Sequence, residues 1–78
     1  MREKDWRRIF VLRLGVQLRR NNMTQRELAK RIGVTPSAVS HFLSGERRPD
    51  ITTIVNMAHA FNCTVADLVD VGEEITDR

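Results

Sequence analysis

The sequence has few of the residues that build cross-links, metal sites and β-hairpins. Among 78 residues there are one cysteine, two histidines and no tyrosine. A lone thiol excludes an internal disulfide, and one thiol with two imidazoles is too few ligands for a closed zinc site. Strand signals are also scarce, because alternating apolar runs are rare and no Asn-Gly or Asp-Gly turn occurs. These absences favour an all-helical chain without a metal, a cofactor or a small-molecule ligand.

Long hydrophobic segments are missing as well. The longest apolar run, Ile9–Leu12, spans four residues between arginines, whereas a membrane-spanning helix needs about 20. The first residues lack the apolar stretch and the small-residue cleavage site of a signal peptide. We therefore expect a cytoplasmic protein with no membrane partner.

The charges that are present are unevenly distributed. Residues 1–49 hold 12 basic and four acidic side chains, a balance of +8, and residues 50–78 hold one basic and six acidic side chains, a balance of −5. Eleven of the 13 basic residues are arginine, whose planar guanidinium suits phosphate and guanine. The basic part favours a polyanionic partner, although charges also serve simply to solvate helix faces.

Apolar spacing predicts five helices in a single domain. The first runs from about Asp5, its expected N-cap, to Arg20, with Phe10, Leu14 and Leu18 on its inward stripe. It also carries a second apolar stripe, which consists of Ile9, Leu12 and Val16. The expected inward side chains of the later helices are Leu28, Ala29, Ile32, Val39, Phe42, Leu43, Ile51, Ile54, Ala58, Phe61, Val65, Leu68 and Val69.

The starts of the later helices are marked by side chains that cap free N–H groups. Thr24 with Glu27 has the spacing of a capping box, and Thr35 precedes Pro36 at a first helical position, where no N–H is needed. Asparagine and glycine, which tolerate left-handed backbone, mark the stops. The remaining expected caps and stops are Asp50, Thr64 with Asp67, Asn21-Asn22, Gly33 and Gly45.

Residues 25–44 satisfy the packing demands of a helix-turn-helix. The two short helices cross steeply, so the position of closest approach, Ala29, must be small, and Gly33 supplies the positive φ of the turn. Val34, Val39 and Phe42 must be buried to fix the second helix of the motif against the first. Their mutually consistent spacing predicts this motif at the second and third helices of the chain.

The stretch from Leu14 to Val69 resembles the phage-repressor and Cro type of helix-turn-helix domain, the lambda-repressor-like or XRE family. Asn62 and Cys63 stand where that family usually has glycine and valine. The resemblance implies a compact all-α fold of five helices, which we assign to residues 1–72, with 73–78 as a frayed acidic tail. The matching segments are T-Q-R-E-L-A at 24–29, G-V-T at 33–35, S-x-x-S/H-x-x-L-S-G at 37–45, R-R-P at 47–49 and A-x-x-x-N-C-T-V-A-D-L at 58–68, where x marks a position that is not part of the match.

The resemblance also implies that the third helix enters the major groove of operator DNA, N-terminal end first. Family members often carry glutamine or asparagine at the start of this helix, where those side chains bind adenine; Pro36 and Ser37 replace them here. Pro36 also initiates the helix, and the serines and His41 also fit a plain helix surface. The candidate base contacts are Thr35, Pro36, Ser37, Ser40 and His41.

Candidate phosphate contacts flank that helix. By the resemblance Gln25 grips a phosphate at the start of the second helix, where free N–H groups and the helix dipole favour an anion. Arg47 and Arg48 follow the third helix, and Arg26 is a weaker candidate. A further basic group forms either an arm on DNA or, as we favour, a solvated helix start; it consists of Arg2, Lys4, Arg7 and Arg8.

Two surfaces compete as the contact between the subunits of a homodimer. Helix 5 and its flanks carry more apolar side chains than a short surface helix needs, and their acidic neighbours keep them away from phosphates. We favour this surface, which consists of Val65, Leu68, Val69 and Val71. The alternative is the second stripe of the first helix, together with Trp6.

The sequence therefore predicts a sequence-specific regulator of transcription, a repressor that binds a pseudo-palindromic site on double-stranded DNA as a dimer. The alternative is an antitoxin or interaction module that neutralises a partner protein, such as a toxin or an anti-repressor, because fold alone does not fix function. An enzyme is not expected: Ser37, Ser40, His41 and Asp50 are residue types of a hydrolase triad, but no nucleophile elbow or phosphate loop accompanies them.

Overall fold

Five α-helices follow one another in the computed structural model, which describes the backbone of residues 3–69 and the side chains of residues 6–69. No strand occurs between residues 3 and 69, and the predicted all-α class is confirmed. The predicted tail 73–78 and Val71 lie outside the described residues, and the domain boundary at residue 72 remains a prediction. The helices are α1 (Glu3–Arg20), α2 (Gln25–Ile32), α3 (Pro36–Ser44), α4 (Ile51–Phe61) and α5 (Ala66–Val69).

The predicted caps at the starts of α2 and α5 form with reciprocal hydrogen bonds. The Thr24 N–H donates to Glu27 Oε1 at 2.8 Å, and the Glu27 N–H donates to Thr24 Oγ1 at 3.0 Å. Thr64 and Asp67 repeat this exchange at the start of α5, at 3.0 and 3.1 Å. These bonds satisfy N–H groups that a helix cannot pair internally, so local chemistry fixes where the elements begin.

The start of α1 differs from the prediction. The helix already includes Glu3, the first residue that the structure describes, so Asp5 lies inside the helix and does not cap it. Nothing between these residues breaks a helix, and carboxylates are favoured in a first turn because they face the positive end of the helix dipole.

The core forms where α1 packs on α3 and α5, and where α2 packs on α3 and α4. The predicted α1 stripe of Phe10, Leu14 and Leu18 is buried. Met57 and Gln17 are also buried, which the sequence analysis missed. Ile51 was expected in the core but is 65% exposed; it occupies the first position of α4, and the buried stripe of that helix starts one turn later at Ile54.

Candidate nucleic-acid interface

The turn between α2 and α3 has the predicted geometry. Gly33 adopts φ 76°, in the left-handed region. The N–H groups of Gly33 and Val34 both donate to the Ala29 carbonyl, at 2.9 and 3.0 Å. Ala29 is 1% exposed, as the close crossing of two helices demands. The turn and this contact hold α3 in a fixed orientation on α2.

The α3 helix divides into a buried face and an exposed face. Ala38, Val39 and Phe42 lie in the core. The five predicted base-contact residues are all exposed on the other side: Thr35, Pro36, Ser37, Ser40 and His41. The structure therefore brings these side chains together on one solvent-facing surface, which we call the α3 face.

Thr35 has a second role on this surface. Its Oγ1 accepts the Ala38 N–H at 3.1 Å, and its backbone is extended (φ −83°, ψ 154°), as an N-cap requires. The hydroxyl hydrogen remains free to donate, because only the oxygen is used in the cap. Thr35 thus combines helix initiation with a donor at the tip of α3.

The N-terminus of α2 presents free backbone donors beside an exposed side chain. The capping box occupies the N–H groups of Thr24 and Glu27, and the first turn of a helix leaves the others without internal partners. Those N–H groups belong to Gln25 and Arg26, whose side chains are exposed. The hydrogen bonds from Thr24 lower the pKa of the Glu27 carboxyl. This end of α2 can accept an anion such as a backbone phosphate.

The loop after α3 holds the two predicted arginines. The Arg47 guanidinium carbon lies 5.5 Å from the centre of the Phe42 ring, and the Arg47 N–H donates to the His41 carbonyl at 3.2 Å. Both Arg47 and Arg48 are exposed. The cation–π contact restrains Arg47 near the C-terminal end of α3.

Glu46 was not singled out from the sequence, yet it contacts the α3 face. Its Oε1 lies 3.7 Å from His41 Nε2 and accepts the Ser44 hydroxyl at 3.0 Å. The Glu46 carboxylate places a negative charge near His41, and a negative charge opposes the approach of a phosphate. Its position follows from the tight loop at Gly45, where φ is 82°.

Arg7 is neither part of an extended arm nor a solvated side chain at a helix start, the two roles considered for the basic N-terminal group. Its Nη2 donates to the Gly45 carbonyl at 2.9 Å, across 38 positions of sequence. Arg7 is half-buried and Arg8 is exposed, whereas Arg2 and the side chain of Lys4 lie outside the described residues. A cation at the C-terminal end of α3 is favoured by the helix dipole, so Arg7 anchors the end of the helix that carries the α3 face.

The surface predicted on α5 is largely occupied within the chain. Leu68 has no exposed surface, and Val65 and Val69 are half-buried against the core. Leu68 therefore cannot contribute its side chain to a partner in this conformation. Between residues 6 and 69, the large apolar side chains that are exposed lie elsewhere, at Leu12 (64%), Val16 (39%), Ile51 (65%) and Val55 (36%).

Cys63 behaves as a packing residue near the end of α4. Burial raises the pKa of its thiol, which disfavours the thiolate that binds metals. Within residues 6–69, His, Cys, Asp and Glu side chains form no group of three that could hold a metal ion. Among the described helices, none is long and apolar enough to cross a bilayer.

Comparison with known proteins identifies the class that this geometry defines. Residues 16–68 match the model of the helix-turn-helix family, which covers both motif helices and all five predicted base contacts. The chain therefore belongs to the helix-turn-helix family of DNA-binding transcriptional regulators, in its Cro/C1-type branch, and the resemblance found in the sequence is confirmed.

Individual relatives carry the same description. The chain is 42% identical over 62 residues to an uncharacterized HTH-type transcriptional regulator, YvzC, of Bacillus subtilis (strain 168), covering 80% of this chain and 77% of the relative. It is 36% identical over 53 residues to an uncharacterized HTH-type transcriptional regulator of Archaeoglobus fulgidus, covering 68% and 75%.

A solved structure shares the fold. The solution structure of the SOS-response transcriptional repressor LexA from Eubacterium rectale superposes with a TM-score of 0.80 at 27% identity. The match covers 94% of this chain and 78% of that chain. The fold of this chain is therefore similar to that of the LexA protein.

Proposed function

We propose that this regulator is a repressor that binds a two-fold symmetric operator as a homodimer. In each subunit α3 lies in the major groove, and the α3 face contacts base edges. Gln25 and Arg26 on one side, and Arg47 and Arg48 on the other, contact the flanking phosphates. The observation that carries this proposal is the exposure of all five side chains of the α3 face, which lie in the sequence between two pairs of exposed residues that we propose to contact phosphates.

Chemistry supports the assignment of roles. Free N–H groups at the start of α2 and guanidinium groups after α3 suit phosphate oxygens, which position a protein without specifying sequence. Serine hydroxyls and an imidazole suit base edges in the major groove. One subunit offers few base contacts, so affinity must come from two half-sites about 34 Å apart. The proposed DNA partner also supports the expected cytoplasmic location, and we expect no enzymatic activity.

The experiment is selection of bound sequences from a random pool of duplex DNA. We expect a two-fold symmetric consensus, with affinity that falls steeply with salt because each neutralised phosphate adds about −0.9 to the log–log slope. A selected pool without two-fold symmetry contradicts the dimeric operator. Failure to enrich any sequence, together with a second protein that co-purifies stoichiometrically, favours the antitoxin or interaction-module alternative.

A further inference from the structure

The exposed side of α4 is free of charge in a strongly charged protein. Helix α4 has 11 residues and no Asp, Glu, Lys or Arg among them, whereas 29% of the whole chain is charged. Two of its exposed side chains, Ile51 and Val55, lie one turn apart, at 65% and 36% exposure. We define the α4 face as the exposed side chains of this helix, Ile51, Thr52, Val55, Asn56 and His59.

We propose that the α4 face binds the α4 face of a second copy of this chain when two copies occupy the two halves of one operator. The inference rests on the proposed DNA binding and locates the subunit contact that it requires. It replaces the α5 surface, because Leu68 is fully buried and Val65 and Val69 are half-buried in the chain's own core.

Charge favours a second copy as the occupant. A two-fold contact places the same patch on both sides, so each side chain lies near its own counterpart or that of a neighbour. A patch with charges of one sign would repel itself, and charged residues are depleted at the centres of protein interfaces. Helix α4 itself carries no Asp, Glu, Lys or Arg, and two charges of opposite sign border its exposed side: Asp50 caps its N-terminus, and Arg31 lines a surface pocket with Asn56 and His59. The face can therefore meet a second copy of itself without facing charges of a single sign.

The exposed stripe on α1 is less suited to a two-fold contact. Leu12 and Val16 match Ile51 and Val55 in exposure and spacing. However, α1 contains no acidic residue between Trp6 and Arg20, and it is basic in its last turn. Apposing two such helices would bring arginines together, which costs affinity.

The position of the α4 face also favours a second copy of this chain as its occupant. Ile51 follows Arg48 by three residues, so their Cα atoms lie within about 11 Å. The α4 face thus begins beside the loop proposed to contact phosphate. The chain measures 40 × 24 × 20 Å, and half-sites lie about 34 Å apart. Two copies on one operator are therefore close enough for an edge beside the DNA to meet its counterpart.

The size of the face sets the strength of the contact. A helix of 11 residues is about 16 Å long, and two such faces bury less than the roughly 1,200 Å² of a standard stable interface. The contact therefore forms weakly in free solution. It appears instead as cooperative binding to a complete operator, where DNA holds the two copies at high effective concentration.

The test compares two neutral double variants that are matched in exposure and spacing. Ile51→Gln with Val55→Gln alters the α4 face, and Leu12→Gln with Val16→Gln alters the α1 stripe. Each is titrated against a complete operator and a single half-site obtained by the pool selection, and circular dichroism checks that each folds. Because no charge changes, the α4 variant should bind the single half-site with the same affinity as the wild type.

The α4 variant is expected to bind the complete operator without cooperativity and at least about tenfold more weakly, because burial of an apolar side chain is worth that factor. The α1 variant should retain cooperative binding. Loss of cooperativity in the α1 variant alone, or in neither variant, overturns the inference while the proposed function stands. Absence of wild-type binding to both DNAs overturns the proposed function and this inference together.

Discussion

Replacing Arg7 by methionine tests whether the first helix anchors the end of α3. Methionine keeps much of the apolar stem and removes the guanidinium that donates to the Gly45 carbonyl at 2.9 Å. A hydrogen bond from a charged group is worth about 1.5–3 kcal/mol, and the bond here is only part-buried. We therefore take the lower end of that range and expect Arg7→Met to lower the free energy of unfolding by about 1.5 kcal/mol.

The assay is thermal unfolding followed by circular dichroism. For a domain of this size a loss of about 1.5 kcal/mol lowers Tm by roughly 6–12 °C. Arg8→Met is the matched control: it makes the same change at the next residue, whose side chain is exposed, and should stay within about 0.5 kcal/mol of wild type. Equal melting temperatures for the two variants would refute the anchoring role of Arg7.

Three further predictions concern the turn, the helix crossing and the caps. Gly33→Ala should lower the free energy of unfolding by about 1–2 kcal/mol through the left-handed backbone alone, since an added Cβ meets nothing within 4 Å. Gly33→Asn should lower it by less. Identical melting temperatures for the wild type and the alanine variant would contradict the strain at Gly33. Ala29→Leu should cost about 1–3 kcal/mol by overpacking, and an unchanged denaturation midpoint would refute the close crossing. Three capping carboxyls have a pKa lowered by hydrogen bonds with the side chain and backbone of a nearby threonine, so their stabilisation is complete at neutral pH and is lost as pH falls below about 4. Melting temperature should decline in that range, and a flat profile would disprove the role of these groups, which are Glu27, Asp50 and Asp67.

The sequence predicted most of the fold because its determinants are local. The capping box at Thr24 and Glu27 acts across three residues, and Gly33 ends α2 through its own backbone conformation. The exposed side of α3 follows from helical spacing once Val39 and Phe42 are assigned to the core. Each of these features can be inferred without knowing how distant segments pack.

The features that escaped prediction depend on distant segments. The contact from Arg7 to the Gly45 carbonyl joins residues 38 positions apart, and no periodicity indicates it. Ile51 has the spacing of a core residue, but burial depends on what packs against the first turn of α4, and it is 65% exposed. Leu68 was expected both in the core and on a partner surface; its complete burial in the chain's own core depends on how α5 packs on α1.

In the proposed complex, α3 specifies the DNA sequence and the loop after it contacts only the phosphate backbone. The most direct measurement is the affinity of Ser37→Ala, His41→Ala and Arg48→Ala for a selected operator and for a set of single-base variants of it. We expect Ser37→Ala or His41→Ala to change base preference at one position by about 1–3 kcal/mol. Arg48→Ala should weaken all sequences alike and reduce the salt slope by about 0.9. An altered base preference in Arg48→Ala, with unchanged preference in both α3 variants, would contradict the account.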